Sequence, residues 1–301
     1  MRLHKTINQL KNKNAARFVD LHTHTNVSDG ELSPEELVRE AFNLKYKVIG
    51  ITDHDTLNGI ERARMEAEKF GLEIIPGCEL TAYYYGHEIH ILAYFIEPDH
   101  QELNSYLLKF QRARYTRARQ IIKKLKKLGI DINFDNMVNK YNSDAIGRPH
   151  IAREIVSMGI ESDMQMAFKK YMIPGAPAYI PKFMISPKEI ISLILKADGV
   201  PVFAHPYYYF NVESIISRLV QYGLKGIEVY HSYHSPSYVR KFKQMASRFD
   251  LVQTGGSDAH SRAGGKYLPF GRIALGQKVI KNLKTIRDRI RFKSRTLSKI
   301  I

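Results

Sequence analysis

The 301-residue chain has no tryptophan and a single cysteine, Cys78. One thiol excludes both a disulfide framework and a cysteine-rich zinc module, and it points to the cytoplasm. No run of eighteen apolar residues occurs, so no transmembrane helix and no membrane partner are expected. The N-terminal MRLHKTINQLKNKNAAR is basic but lacks a continuous apolar core, and so does not read as a secretory signal. A phosphate-cradling P-loop is missing, as are internal repeats.

What is present is ordinary soluble composition, 44% hydrophobic and 25% charged, with length enough for one large or two ordinary domains. The exception is a formal charge of +16, from 46 Lys+Arg against 30 Asp+Glu. Three segments carry it. Residues 1–17 hold five bases and no acid, 109–127 hold nine and no acid, and 278–301 hold nine against Asp288. Together they amount to +22, which leaves the rest of the chain mildly acidic at −6. A Lys/Arg-rich helix is ordinarily a solvated face. Ile121, Ile122, Leu125 and Leu128 recur at helical spacing, which fits such a helix ended by Gly129.

The first third alternates strand and helix. Strands are expected at 17–21, 48–51, 72–76 and 88–95, with a helix opened by the capping box Ser33-Pro34-Glu35-Glu36 and another near 58–70. From 99 to 182 only helices are expected, at 99–128, 148–159 and 161–171. Alternation resumes at Ser186-Pro187, with strands at 200–204, 226–230 and 251–254. The expected organisation is a basic extension (1–16), a first barrel part (17–98), a helical insertion domain (99–182), a second barrel part (183–276) and a basic C-terminal helix (277–301). Alternating units of this kind favour a parallel α/β sheet or barrel.

Each readable core strand carries or ends on a histidine or carboxylate. His22 and His24 alternate on one extended face, and Asp29 follows in Ser28-Asp29-Gly30. Thr52-Asp53-His54-Asp55, Cys78-Glu79, His90, Ala204-His205-Pro206 and Gly256-Ser257-Asp258-Ala259-His260 complete the series. Strand ends converge on the catalytic face of a β/α barrel. His22, His24, Asp29, His54, Glu79, His90, His205, Asp258 and His260 exceed what one ion can use. Two or three divalent ions are implied, and histidine with carboxylate but no thiolate suits Mn²⁺, Zn²⁺ or Fe²⁺. Glu79, the only glutamate in the set, is the expected bridge, and alternation turns Cys78 into the core.

DLHTHTNVSDG, ITDHDTLNGI, PGCEL, HEIHILAYF, AHP and GSDAH resemble the ordered motifs of the PHP (polymerase and histidinol phosphatase) family. The likeness spans roughly 17–262. GRPHIAREIV and PAYIPK resemble its bacterial phosphoesterase subfamily, which includes nucleoside 3′,5′-bisphosphate phosphatases and 5′→3′ exonucleases on short RNA. The resemblance implies a distorted (β/α)₇ barrel with a trinuclear site, Mn²⁺ being the favoured ion. It places His22, His24, Glu79 and Asp258 on one metal, Glu79, His90 and His205 on a second, and Asp29, His54 and His260 on a third. The activity expected is phosphate-ester hydrolysis by a metal-activated hydroxide on a nucleotide or short RNA, with no protein partner implied. A histidinol-phosphate-type phosphatase is the alternative. Arg148 can fork onto phosphate oxygens, and Lys182 is a weaker candidate of the same kind. Of His231 and His234, His234 is expected to face the site as a phosphate contact or proton donor. The short aromatic run Tyr207-Tyr208-Tyr209-Phe210 after His205 departs from the family pattern, and an altered substrate fit is the expectation there.

Overall fold

The computed structural model describes residues 18–265 and 267–297. The expected 1–16 extension and the last residues of the basic tail lie outside them. Seven strands follow one another around a single sheet: β1 (Phe18–Asp20), β2 (Tyr46–Ile51), β3 (Glu73–Tyr84), β4 (His87–Tyr94), β5 (Val200–Phe203), β6 (Gly226–His231) and β7 (Val252–Gly256). The sheet curls into a nearly closed barrel. Between β1 and β7 the Leu21 N–H donates to the Gly255 carbonyl at 3.2 Å. That approach needs glycine, because a Cβ on Gly256 would run into the His22 backbone.

One expectation is corrected here. The sheet is not wholly parallel: β4 runs antiparallel to both β3 and β5. β3 and β4 form a hairpin over Tyr85-Gly86, both with positive φ, as a two-residue type I′ turn requires. β3 is also much longer than the apolar run 72–76 indicated, because it continues beyond Glu79 to pair along this hairpin.

Helices α1 (Pro34–Asn43) and α2 (Ile60–Glu68) cover the first strands. Ser33 caps α1 through the expected box: its Oγ accepts from Glu36 N–H at 3.2 Å while Glu36 accepts from Ser33 N–H at 2.8 Å. Next come α3 (Gln101–Lys127), α4 (Phe134–Tyr141), α5 (Arg148–Ser157) and α6 (Met164–Ala167), the last continued by a π-helical turn at Phe168–Met172. The short α4 escaped sequence reading. Leu103, Leu107 and Phe110 of α3 pack into the barrel core, whereas Ala118, Ile121, Ile122 and Leu125 pack with Met137, Ile151, Ile155 and Met172 in a separate apolar cluster. Helix α3 thus ties the helical region to the barrel. The remaining helices are α7 (Pro187–Lys196), α8 (Val212–Gln221), α9 (Pro236–Arg248) and α10 (Lys278–Leu297). α10 buries Ile280 and Leu283 against β5 and β7, at the barrel end away from the histidines.

Candidate metal centre

β1 runs out into an extended segment in which His22 and His24 project together, their rings 5.2 Å apart. Thr23 between them turns the other way, and its hydroxyl donates to the Gly50 carbonyl at 2.6 Å. The Glu79 carboxylate stands at the centre of the mouth. Its Oε1 lies 2.8 Å from His90 Nδ1 and 2.9 Å from His205 Nε2; its Oε2 lies 3.1 Å from His54 Nδ1, 3.4 Å from His24 Nε2 and 3.6 Å from His22 Nε2. Asp258 Oδ1 is 3.3 Å from His22 Nε2 and 3.1 Å from His24 Nε2, while Asp29 Oδ1 is 3.3 Å from His260 Nε2.

All nine residues singled out from the sequence therefore meet. Three overlapping groups have their ligand atoms within 4.8 Å of one another: His22, His24, Glu79 and Asp258; His54, Glu79 and His90; His24, Asp29, His54 and His260. His205 joins through Glu79 Oε1. Two of the nine, His205 (φ 27°) and Asp258 (φ 55°), hold left-handed backbone conformations that side chains disfavour, a cost often found at functional sites.

These residues fit divalent cations. His22 Nε2, both ring nitrogens of His24, His54 Nδ1, His205 Nδ1 and Asp29 Oδ1 are buried with no hydrogen-bond partner among the described residues. Buried polar atoms left so are costly, and metal ions accept those lone pairs. Burial acts against ionisation of Glu79, yet attraction from His90, then His54 and His22, outweighs it and holds the carboxyl well below its usual range. Asp29 and Asp258 are likewise held low, against burial, chiefly by His260 and His22 respectively. Burial lowers His54 and His205, whereas Glu79 overcomes it at His90 and Asp29 at His260, each pushed up to about 9. Cys78 is fully buried in the barrel core, with its thiol pushed well up by burial.

A second layer of acids was not legible in the sequence. Glu228 of β6 is fully buried; Oε1 lies 3.0 Å from His22 Nδ1, and Oε2 accepts the His205 N–H at 2.7 Å. Asp20 accepts N–H bonds from His22 (3.2 Å) and Ser257 (2.9 Å), and burial raises its carboxyl to about 7. Asp53 accepts from Thr25 N–H at 2.7 Å and Ser28 Oγ at 2.5 Å, shaping the loop that carries Asp29. Such partners fix the tautomer and orientation of ligating imidazoles. The available signal for Glu228 was an acid inside the otherwise apolar Gly-Ile-Glu-Val-Tyr.

The cluster opens into a pocket of about 440 Å³ walled also by Arg114, Arg117, Arg148, Lys182, Glu88, Tyr208 and Tyr267. Arg148 and Lys182 thus reach the site, where both approach Glu88, Arg148 Nη2 at 3.7 Å from Oε2. Burial, opposed by Glu88, lowers Lys182 to about 8. Arg114 and Arg117 lie in the segment expected to be a solvated face. Three residues apart, they share the inner side of α3 instead. Arg114 Nε donates to Asp55 Oδ2 at 2.5 Å, and Arg117 Nε donates to the Ile180 carbonyl at 2.8 Å. Burial, reinforced by Arg148, lowers Arg117 to about 10.

The expectation for His234 is corrected. It is not among the residues lining the pocket. Its Nδ1–H donates to the Val229 carbonyl at 2.8 Å and its ring packs on Phe242 at 4.9 Å. His231 is the one turned to the site, with Nε2 3.4 Å from Asp258 Oδ2. β6 carries a register shift between Glu228 and Tyr230, so that Glu228 and the strand's last residue, His231, both turn to the site despite their odd spacing.

A family model described as PHP domain matches residues 20–158. Among characterised proteins, the chain is 34% identical to a 3′,5′-nucleoside bisphosphate phosphatase of Chromobacterium violaceum, over 81% of this chain and 87% of that one. It is 33% identical to the 5′-3′ exoribonuclease Rnm of Salmonella typhimurium, over 90% and 92%. Among solved structures, a protein from Bifidobacterium adolescentis described as a metal-dependent phosphoesterase superposes with a TM-score of 0.81 at 29% identity, covering 88% of this chain and 94% of that chain.

Proposed function

The chain belongs to the PHP family, and from that premise we propose that it hydrolyses phosphate esters of nucleotides at the mouth of its barrel. The substrate is a nucleoside 3′,5′-bisphosphate or the 5′ end of a short oligoribonucleotide. His22, His24, Asp29, His54, Glu79, His90, His205, Asp258 and His260 hold two or three divalent ions, manganese being favoured. Such ions supply Lewis acidity and lower the pKa of water towards neutrality.

The observation that carries this reading is the charge on the pocket wall beside the cluster. Arg114, Arg117, Arg148 and Lys182 line it, with Glu88 the acid among the lining residues that lies outside the candidate ligands, while Arg114 is held by Asp55. Arg148 and Lys182 share the one carboxylate of Glu88, and Arg117 has no carboxylate partner among the described residues, so the wall keeps an excess of positive charge that an anionic substrate satisfies. Arg148 and Arg117 grip phosphate oxygens, and Lys182, still protonated at neutral pH, adds a point charge. Glu228 and Asp20 keep His22 and His205 turned to the centre. Proton delivery by His234 is not part of the proposal, since its N–H is committed to Val229.

The test is release of phosphate or nucleotide by Mn²⁺-loaded protein from adenosine 3′,5′-bisphosphate, 5′-phosphorylated short RNA and histidinol phosphate. Turnover of either of the first two is expected. Turnover of histidinol phosphate alone would establish the alternative, and no turnover of any would overturn the reading.

A further inference from the structure

The aromatic run after His205 is left without a role by the chemistry above. It begins in a tight turn, Pro206–Tyr208, which lays Tyr207 and Tyr208 ring against ring, 4.0 Å between centroids and 33° between planes. Tyr209 stacks on the fully buried Phe203 at 5.4 Å and anchors the turn to β5. The edge of Tyr208 meets the His205 imidazole at 5.3 Å, 84° from parallel, so this ring is one neighbour away from the candidate ligands.

Tyr208 is nevertheless 57% exposed. A large ring held this firmly and left open to water, on the wall of a pocket, is a preformed surface for a flat partner. The same pocket is walled by Arg148, Arg117 and Lys182. It thus offers cations for an anionic group and an aromatic face for a planar one, which is the outline of a nucleotide.

We propose that Tyr208, backed by Tyr207, is the seat on which the nucleobase of the substrate stacks. This rests on the nucleotide reading above and deepens it: the site selects for the base as well as the phosphate. Stacking tolerates any base, because each presents a π-face, so the seat distinguishes nucleotides from other phosphate esters without reading their sequence.

The test compares kcat/KM for adenosine 3′,5′-bisphosphate with that for its abasic counterpart, in the wild type, Tyr208→Phe and Tyr208→Ala. The preference of the wild type for the base-bearing substrate is expected to fall about tenfold in Tyr208→Ala, equivalent to about 1.4 kcal/mol. Tyr208→Phe, which keeps the ring, should retain it. An unchanged preference in Tyr208→Ala overturns the proposal, whatever happens to the absolute rates. If the wild type turned over neither compound, the phosphatase reading would fail. Calorimetric binding of adenosine 5′-monophosphate against ribose 5-phosphate to the metal-loaded wild type and Tyr208→Ala would then decide the seat on its own. Equal affinity of the wild type for the two ligands overturns it, and a preference lost in Tyr208→Ala upholds it.

Discussion

At the scale of single residues, Glu79 and Glu228 do different work with the same carboxylate. Glu79 faces five imidazoles within 3.6 Å and is shared among the ligand groups. Glu228 touches His22 and the His205 backbone from behind. Glu228→Gln should therefore weaken metal binding and turnover by roughly 10- to 100-fold without abolishing them. Glu79→Gln should remove both; metal content alongside turnover measures the difference, and wild-type behaviour of Glu228→Gln would refute its orienting role. His234 belongs to the packing. Burial lowers it, like His150, to about 4, so the unfolded chain takes up these protons first as pH falls. Their contribution to stability is complete above about 6.5 and is lost progressively towards pH 4. Urea unfolding at pH 7.5 and 5 should show a shallower loss in His234→Gln than in the wild type, with turnover near normal. A large fall in turnover would return His234 to the chemistry.

At the scale of elements, α3 carries two kinds of basic residue. Arg114 and Arg117 look into the pocket, whereas Arg112, Arg119 and Lys123 are exposed. Arg117→Gln should raise KM for nucleotide substrates by roughly tenfold, because a charge-assisted hydrogen bond is lost from a buried site. Lys123→Gln should leave KM unchanged. Equal effects from the two would mean that α3 acts only through its general field. The β1–β7 seam is the other sensitive element. It admits no side chain at Gly256, and Gly256→Ala should destabilise the fold and lower metal uptake together.

At the scale of the whole molecule, basic residues among those described lie both at the site and on its far side. α10 sits at the opposite barrel end, with Lys284 paired to Glu73 at 2.6 Å and the Arg287 guanidinium over the Phe95 ring at 4.8 Å. Lys278, Lys281, Arg289, Lys293 and Arg295 stay exposed there. If several phosphates are engaged beyond the pocket, affinity for 5′-phosphorylated RNA should fall more steeply with salt than affinity for a mononucleotide. The expected difference in the log–log slope is about 0.7 for each extra phosphate. Equal slopes would confine recognition to the pocket.

Strand-end histidines and acids were legible in the sequence because a strand has a period of two and a barrel gathers its ends. That local rule placed His22 beside His24 and, repeated around the sheet, brought all nine candidate residues together. The capping box at Ser33 and the core position of Cys78 were legible for the same reason: each depends on neighbours within a few residues. What only the tertiary structure decided involves partners far apart in the chain. Glu228 meets His22 across 206 residues, and the place of β4 inside the sheet depends on pairing with β5 more than a hundred residues later. The inward turn of Arg117 depends on a pocket that the 180–182 segment and α5 complete. Composition fixes how much charge the chain carries, but the helix packing chose which of those cations face a substrate.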